Sequence, residues 1–70
     1  MESTYKVVEI VGSSPESWER AAQVALKEAR QTLRDMRIAE VDALDIHLDE
    51  SGEVAAYRTK LKVSFKYEAK

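Results

Sequence analysis

Residues 54–67 read VAAYRTKLKVSFKY. Tyr57, Leu61, Val63, Phe65 and Tyr67 alternate with Arg58, Lys60, Lys62, Ser64 and Lys66. A period of two with one apolar and one charged face is the pattern of a half-buried antiparallel strand. At ~3.3 Å per residue the stretch spans ~46 Å. The turn chemistry of Asp49-Glu50-Ser51-Gly52 precedes it, and residues 38–49, IAEVDALDIHLD, form the strand on the other side of that turn. Apolar residues fall at 39, 41 and 43, then at 44, 46 and 48. A slip of one residue would turn the strand over, so a bulge or sharp twist is predicted between Ala43 and Leu44.

Further upstream, Gly12-Ser13-Ser14-Pro15-Glu16 signals a helix start. Pro suits the first helical position, which makes Ser14 the N-cap; Ser13 with Glu16 also fits a capping box. The helical pattern runs from there to about Arg34. Trp18, Ala22, Ala25, Ala29, Leu33 and Met36 form one apolar stripe, opposite Arg20, Gln23, Lys27, Arg30, Gln31 and Arg34. Its alanines permit close approach to a sheet. Residues 4–11, TYKVVEIV, are a β-branched strand with Val8 and Ile10 on one face. Tyr5, Val7, Glu9 and Val11 occupy the other, and cover is expected on both sides.

The order is β-α-β-β, an α+β fold in a single domain over residues 1–70. A helix of about 20 residues spans ~30 Å, so the long hairpin overhangs it. The 70 residues include no Cys, one His, two Gly and one Pro, with 44% hydrophobic and 34% charged residues. That composition is globular. It excludes disulfides, thiolate sites and multi-histidine sites within one chain. A single core of this size rarely supplies more than ~3–5 kcal/mol. The overhanging hairpin therefore calls for cover by another copy, and a homo-oligomer is expected. The net charge is −2, without the usual basic footprint of a nucleic-acid binder. No apolar run approaches the ~18 residues of a membrane span. No basic start leads into an apolar stretch, so no membrane partner and a cytoplasmic location are expected.

Three places carry candidate chemistry. Asp45, His47 and Asp49 share a strand face, and oxygen ligands with an imidazole are able to hold a divalent cation. No EF-hand loop is present. Asp45 and Asp49 lie ~13 Å apart along a strand, so a shared calcium would need ligands from more than one subunit, or one Asp with backbone oxygens and water. Glu9, the one acidic residue of the strand over residues 4–11, is a third candidate. Residues 53–67 carry +3 and residues 38–50 carry −5, which reads as cross-strand charge pairing. A nucleic-acid module is disfavoured, because Tyr57 and Phe65 face away from the lysines. No Ser–His–acid spacing or Gly-rich phosphate loop is present, and no enzymatic activity is expected.

Taken together, Y-K-V-x-E-I-V-G-S-S-P (residues 5–15), the stretch Ala29 to Arg34, and K-V-S-F-K (residues 62–66) resemble the dodecins. The likeness covers residues 4–68. It implies a sheet wrapped around its helix and a hollow shell of twelve subunits. Typical dodecins bind flavin pairs against a Trp at the start of strand two, with a Gln in strand three on the ring edge. Those positions fall on Ile38 and Arg58 here. Losing the aromatic face weakens stacking, and a guanidinium near Asp42 and Asp45 is expected to be held by a carboxylate. A branch of the family with an aliphatic residue and an Arg at these positions has been associated with calcium. The expected function is a non-enzymatic homododecameric shell holding a small ligand or ion, calcium rather than flavin. A flavin-storage dodecin is the alternative reading, and a nucleic-acid module the second alternative.

Overall fold

Three β-rich runs and one alanine-rich run give β1 (Thr4–Ser14), α1 (Trp18–Ala29), β2 (Met36–Leu48) and β3 (Val54–Tyr67). The computed structural model describes residues 2–67. The strands make one antiparallel sheet in the order β1-β3-β2, with α1 packed on one face. The expected β-α-β-β fold is present. β3 is the central strand, paired with β1 from Thr4↔Tyr67 to Ser14↔Tyr57. Among the described residues no helix is long and apolar enough to cross a membrane.

The core is small. Thr59, Leu61 and Val63 on β3 are almost wholly buried, facing Ala21 and Ala25 of α1. Val8, Ile10, Ala22, Leu26 and Met36 pack around them. Burying a Val or Leu side chain contributes about 1.5–3 kcal/mol. Gly12 lets the helix come this close. A Cβ at Gly12 would run into the Ala21 carbonyl oxygen and stand 2.8 Å from Ala25 Cβ.

The helix boundaries differ from the expectation. β1 continues pairing through Ser14, so Ser14 is a buried strand residue and Pro15 lies in the connection. The N-cap is Ser17, whose side chain accepts from the Arg20 N–H at 3.0 Å. Ser14 Oγ instead accepts from the Glu16 N–H at 3.0 Å. α1 ends at Ala29 rather than near Arg34. Tighter bonds close it, with the N–H groups of Gln31 and Thr32 reaching three residues back, to Glu28 and Ala29. Asp35 then reverses the chain at φ 60°. The buried ridge is Ala21 and Ala25; Ala21 lay outside the expected stripe, and Met36 already belongs to β2.

The phase slip in β2 is real and lies slightly earlier than expected. Val41 pairs with Leu61 and Ala43 with Lys60, so Asp42 is the extra residue of a bulge. Leu44 and Ile46 thereby return to the same face as Val41, opposite Thr59 and Tyr57. Another register shift leaves Arg37 unpaired between Met36 and Ile38.

The chain is 52 Å long, and its radius of gyration is 14.4 Å. A compact chain of this length would have about 11 Å. The excess is the hairpin. α1 covers β1 and β3, and every residue of β2 after Met36 is exposed within one chain, including Ile38, Val41, Leu44, Ile46 and Leu48. Tyr5, Val7 and Val11 are exposed on the outer face of β1.

Gly12→Ala should destabilise the fold by about 1–3 kcal/mol, because the added methyl meets helix backbone rather than a flexible side chain. Urea unfolding followed by circular dichroism measures this. Unchanged stability would show that the helix can be spaced from β1 without loss.

Candidate ligand and ion site

The outer face of the sheet, away from α1, carries the charges. Opposite register brings Asp45 of β2 against Arg58 of β3. The guanidinium grips the carboxylate with both oxygens, Nε to Oδ1 at 2.7 Å and a terminal nitrogen to Oδ2 at 2.9 Å. The expected carboxylate clasp on Arg58 is therefore present. Lys60 Nζ lies 3.5 Å from Glu9 Oε1 and 3.6 Å from Asp42 Oδ2, and Lys62 Nζ lies 3.8 Å from Asp42 Oδ1. The bulge at Asp42 gives one carboxylate to both lysines. Arg58, Lys60 and Lys62 of β3 are thus matched by carboxylates of the neighbouring strands, as cross-strand pairing requires.

Hydrogen bonding to the charged form lowers a carboxyl pKa. Asp45 is held below its ordinary value chiefly by the hydrogen bond from Arg58, whose own pKa is raised by the same contact. Asp49 is lowered chiefly by the Glu53 N–H, then by the Ser51 side chain. Its Oδ1 accepts the Ser51 N–H at 2.9 Å, the Ser51 hydroxyl at 2.8 Å and the Glu53 N–H at 2.9 Å. With Gly52 at φ 85°, these bonds shape the hairpin loop.

Ile38 is 65% exposed and sits opposite Ser64. Arg58 is six residues farther along β3, about 20 Å away. One chain does not bring together the two positions that the resemblance matched to a flavin site. Among the described residues no group of three or more His, Cys, Asp or Glu side chains gathers to hold a metal. Asp45 uses both oxygens on Arg58, Glu9 faces Lys60, and Asp49 serves the loop through Oδ1.

Two residues matter more here than their sequence pattern suggested. Asp42 was one acid among several, and the bulge makes it the shared partner of two lysines. Trp18 was placed in the helix stripe, yet it straps the hairpin. Its Nε1 donates to the Asp45 carbonyl at 3.0 Å and its ring meets Tyr57 edge-on at 5.1 Å. Thr59 Oγ1 donates to the Trp18 carbonyl at 2.8 Å, tying helix start to central strand. Asp45 is thus held through its backbone by Trp18 and through its carboxylate by Arg58.

The Dodecin family model matches residues 4–68. The chain belongs to the dodecin family. Among dodecins, it is 48% identical over 64 residues to the calcium dodecin of Mycobacterium tuberculosis, covering 91% of this chain and 89% of that protein. A crystal structure of that calcium dodecin, described as calcium chelating with a novel calcium-binding site, matches with TM-score 0.83 and 47% identity over 94% of this chain and 93% of that one. The dodecin of Thermus thermophilus is 43% identical over 68 residues, 97% of each chain. The solved dodecin of Streptomyces davaonensis has TM-score 0.89 and 32% identity, covering 99% of this chain and 100% of that one.

The lowered carboxyls set a pH dependence. The folded chain holds these protons less tightly than the unfolded chain. The stability from Asp45 and Asp49 is therefore fully present above about pH 4 and is lost as pH falls through their lowered folded values. The melting temperature should hold between pH 7 and pH 5 and decline below about pH 4. Asp49→Asn should lower it at pH 7 and flatten the acid decline. An unchanged acid profile in that variant would show that Asp49 contributes nothing through its charge.

Proposed function

We propose that this chain assembles into a non-enzymatic homododecameric shell that holds a small ligand or ion at subunit interfaces, with calcium favoured over flavin. The observation that carries the preference is the state of Arg58. Its guanidinium is already clasped by Asp45 with two short bonds, and Ile38 presents no aromatic face for stacking. The 48% identity to a relative named calcium dodecin supports the choice of calcium. The uncovered β2 supports assembly.

Asp49, Asp45 and Glu9 remain the proposed ligands, each contributed to a site completed by another subunit. Asp49 is the readiest of them, because the Ser51 N–H, the Ser51 hydroxyl and the Glu53 N–H all donate to Oδ1 rather than Oδ2. Asp45 binds calcium only when Arg58 lets go.

Millimolar calcium should raise the dissociation temperature of the assembled protein by mass action. Asp49→Asn should blunt that rise. Arg58→Gln should enlarge it if Asp45 is a ligand. An unmoved melting curve would leave this acidic strand as a solvated face and remove the calcium reading.

The flavin alternative has its own test in fluorescence quenching. The protein as it stands should quench weakly, and Ile38→Trp with Arg58→Gln together should bind tightly. Tight quenching by the unmodified protein would reverse the preference.

A further inference from the structure

The Asp45–Arg58 pair is backed from the helix side by one residue. Trp18, in the first turn of α1, donates its Nε1–H to the Asp45 carbonyl at 3.0 Å. Its ring meets the Tyr57 ring edge-on, with centroids 5.1 Å apart and planes at 72°. Its own carbonyl accepts from Thr59 Oγ1 at 2.8 Å. Tyr57 and Thr59 are the chain neighbours of Arg58. Trp18 therefore touches Asp45 itself and the residue on either side of Arg58, from the face of the sheet opposite the clasp.

This part of β2 needs such a hold. Register shifts fall between Val41 and Ala43 and between His47 and Leu48, and Asp45 lies midway along the regular stretch between them. β2 is an edge strand, and a bulged edge bends and twists. A fork of two bonds at 2.7 Å and 2.9 Å tolerates little displacement of either backbone. Both side chains are half exposed, where an ion pair ordinarily gains little because two side chains must be ordered to make it. Fixing both backbones beforehand lowers that cost. Among the described residues, the Trp18 bond is the one hydrogen bond from α1 to β2.

We infer that Trp18 and Arg58 form a two-sided latch on β2: Trp18 is the positioning residue that holds Asp45 closed on Arg58, and parting the clasp on one face frees the indole on the other. An event that draws Asp45 away from Arg58 is thereby passed to the start of α1. The latch is built from contacts within one chain and requires no bound ion, so it is independent of the calcium reading.

Trp18 is the only tryptophan of the chain, so its fluorescence in the assembled protein tests the latch. With excitation beyond the tyrosine band, Arg58→Gln should red-shift the emission and raise acrylamide quenching about twofold, as the half-buried ring opens locally. It should also diminish the near-ultraviolet circular dichroism of the Trp18–Tyr57 pair. Arg58→Lys, which keeps the charge and loses the fork, should move each signal part of the way, and it carries the test should Arg58→Gln not assemble. Lys62→Gln, which removes another outer-face cation of β3 away from Trp18, should move none. Independently, Trp18→Phe keeps a ring beside Tyr57 and loses the Nε1 donor. It should lower the urea midpoint less in the Arg58→Gln background than in the unmodified protein at the same chain concentration. Unchanged Trp18 signals in Arg58→Gln would overturn the inference, as would equal changes in Lys62→Gln or equal midpoint losses from Trp18→Phe in the two backgrounds.

Discussion

A helix can lie against a strand without an intervening side chain only where the strand offers a glycine and the helix offers small residues. Gly12 faces Ala21 and Ala25 in this way, and no Cβ fits between them. The contact places α1 over β1 and β3, so Leu61 and Val63 become the core. It also leaves β2 without a helix beneath it. Val41, Leu44 and Ile46 point to the helix side of the sheet yet stay exposed within one chain. Trp18 reaches across to this strand, hydrogen-bonding the Asp45 carbonyl and meeting Tyr57 edge-on. The hairpin is therefore held in place from within the chain and left uncovered along β2.

Charge follows the same layout. β3 is basic and central, and acids from β1 and β2 converge on it from both sides. Exposed ion pairs add little stability singly and act here mainly on register. The Asp42 bulge lets one carboxylate serve two lysines and restores the apolar phase of β2. The Arg58–Asp45 clasp belongs to this set, so Arg58 is already an engaged cation within one chain.

The fold was largely legible in the residues because β3, the strand that organises it, shows its two faces as a clean alternation. The slip in β2 was legible as well, to within two residues, because a change of phase must be absorbed somewhere along a paired strand. The helix start was misread because Ser14-Pro15 carries strong capping signals, and pairing of Ser14 with Tyr57 overrode them. The helix end was misread because Leu33 and Met36 continue the apolar spacing past the point where the chain tightens and reverses at Asp35. At the candidate site, the Arg58 clasp followed from charge pattern alone. The proposed ion ligands did not, because among the described residues one chain does not gather them.

The central claim is that the surface left bare by the position of α1 is covered by further copies of the chain. Sedimentation equilibrium at micromolar concentration tests it most directly. The expected result is a single species near twelve times the 7.9 kDa chain mass, with no folded monomer. A stable, fully folded species near 7.9 kDa would contradict it, since β2 would then be shown to need no cover.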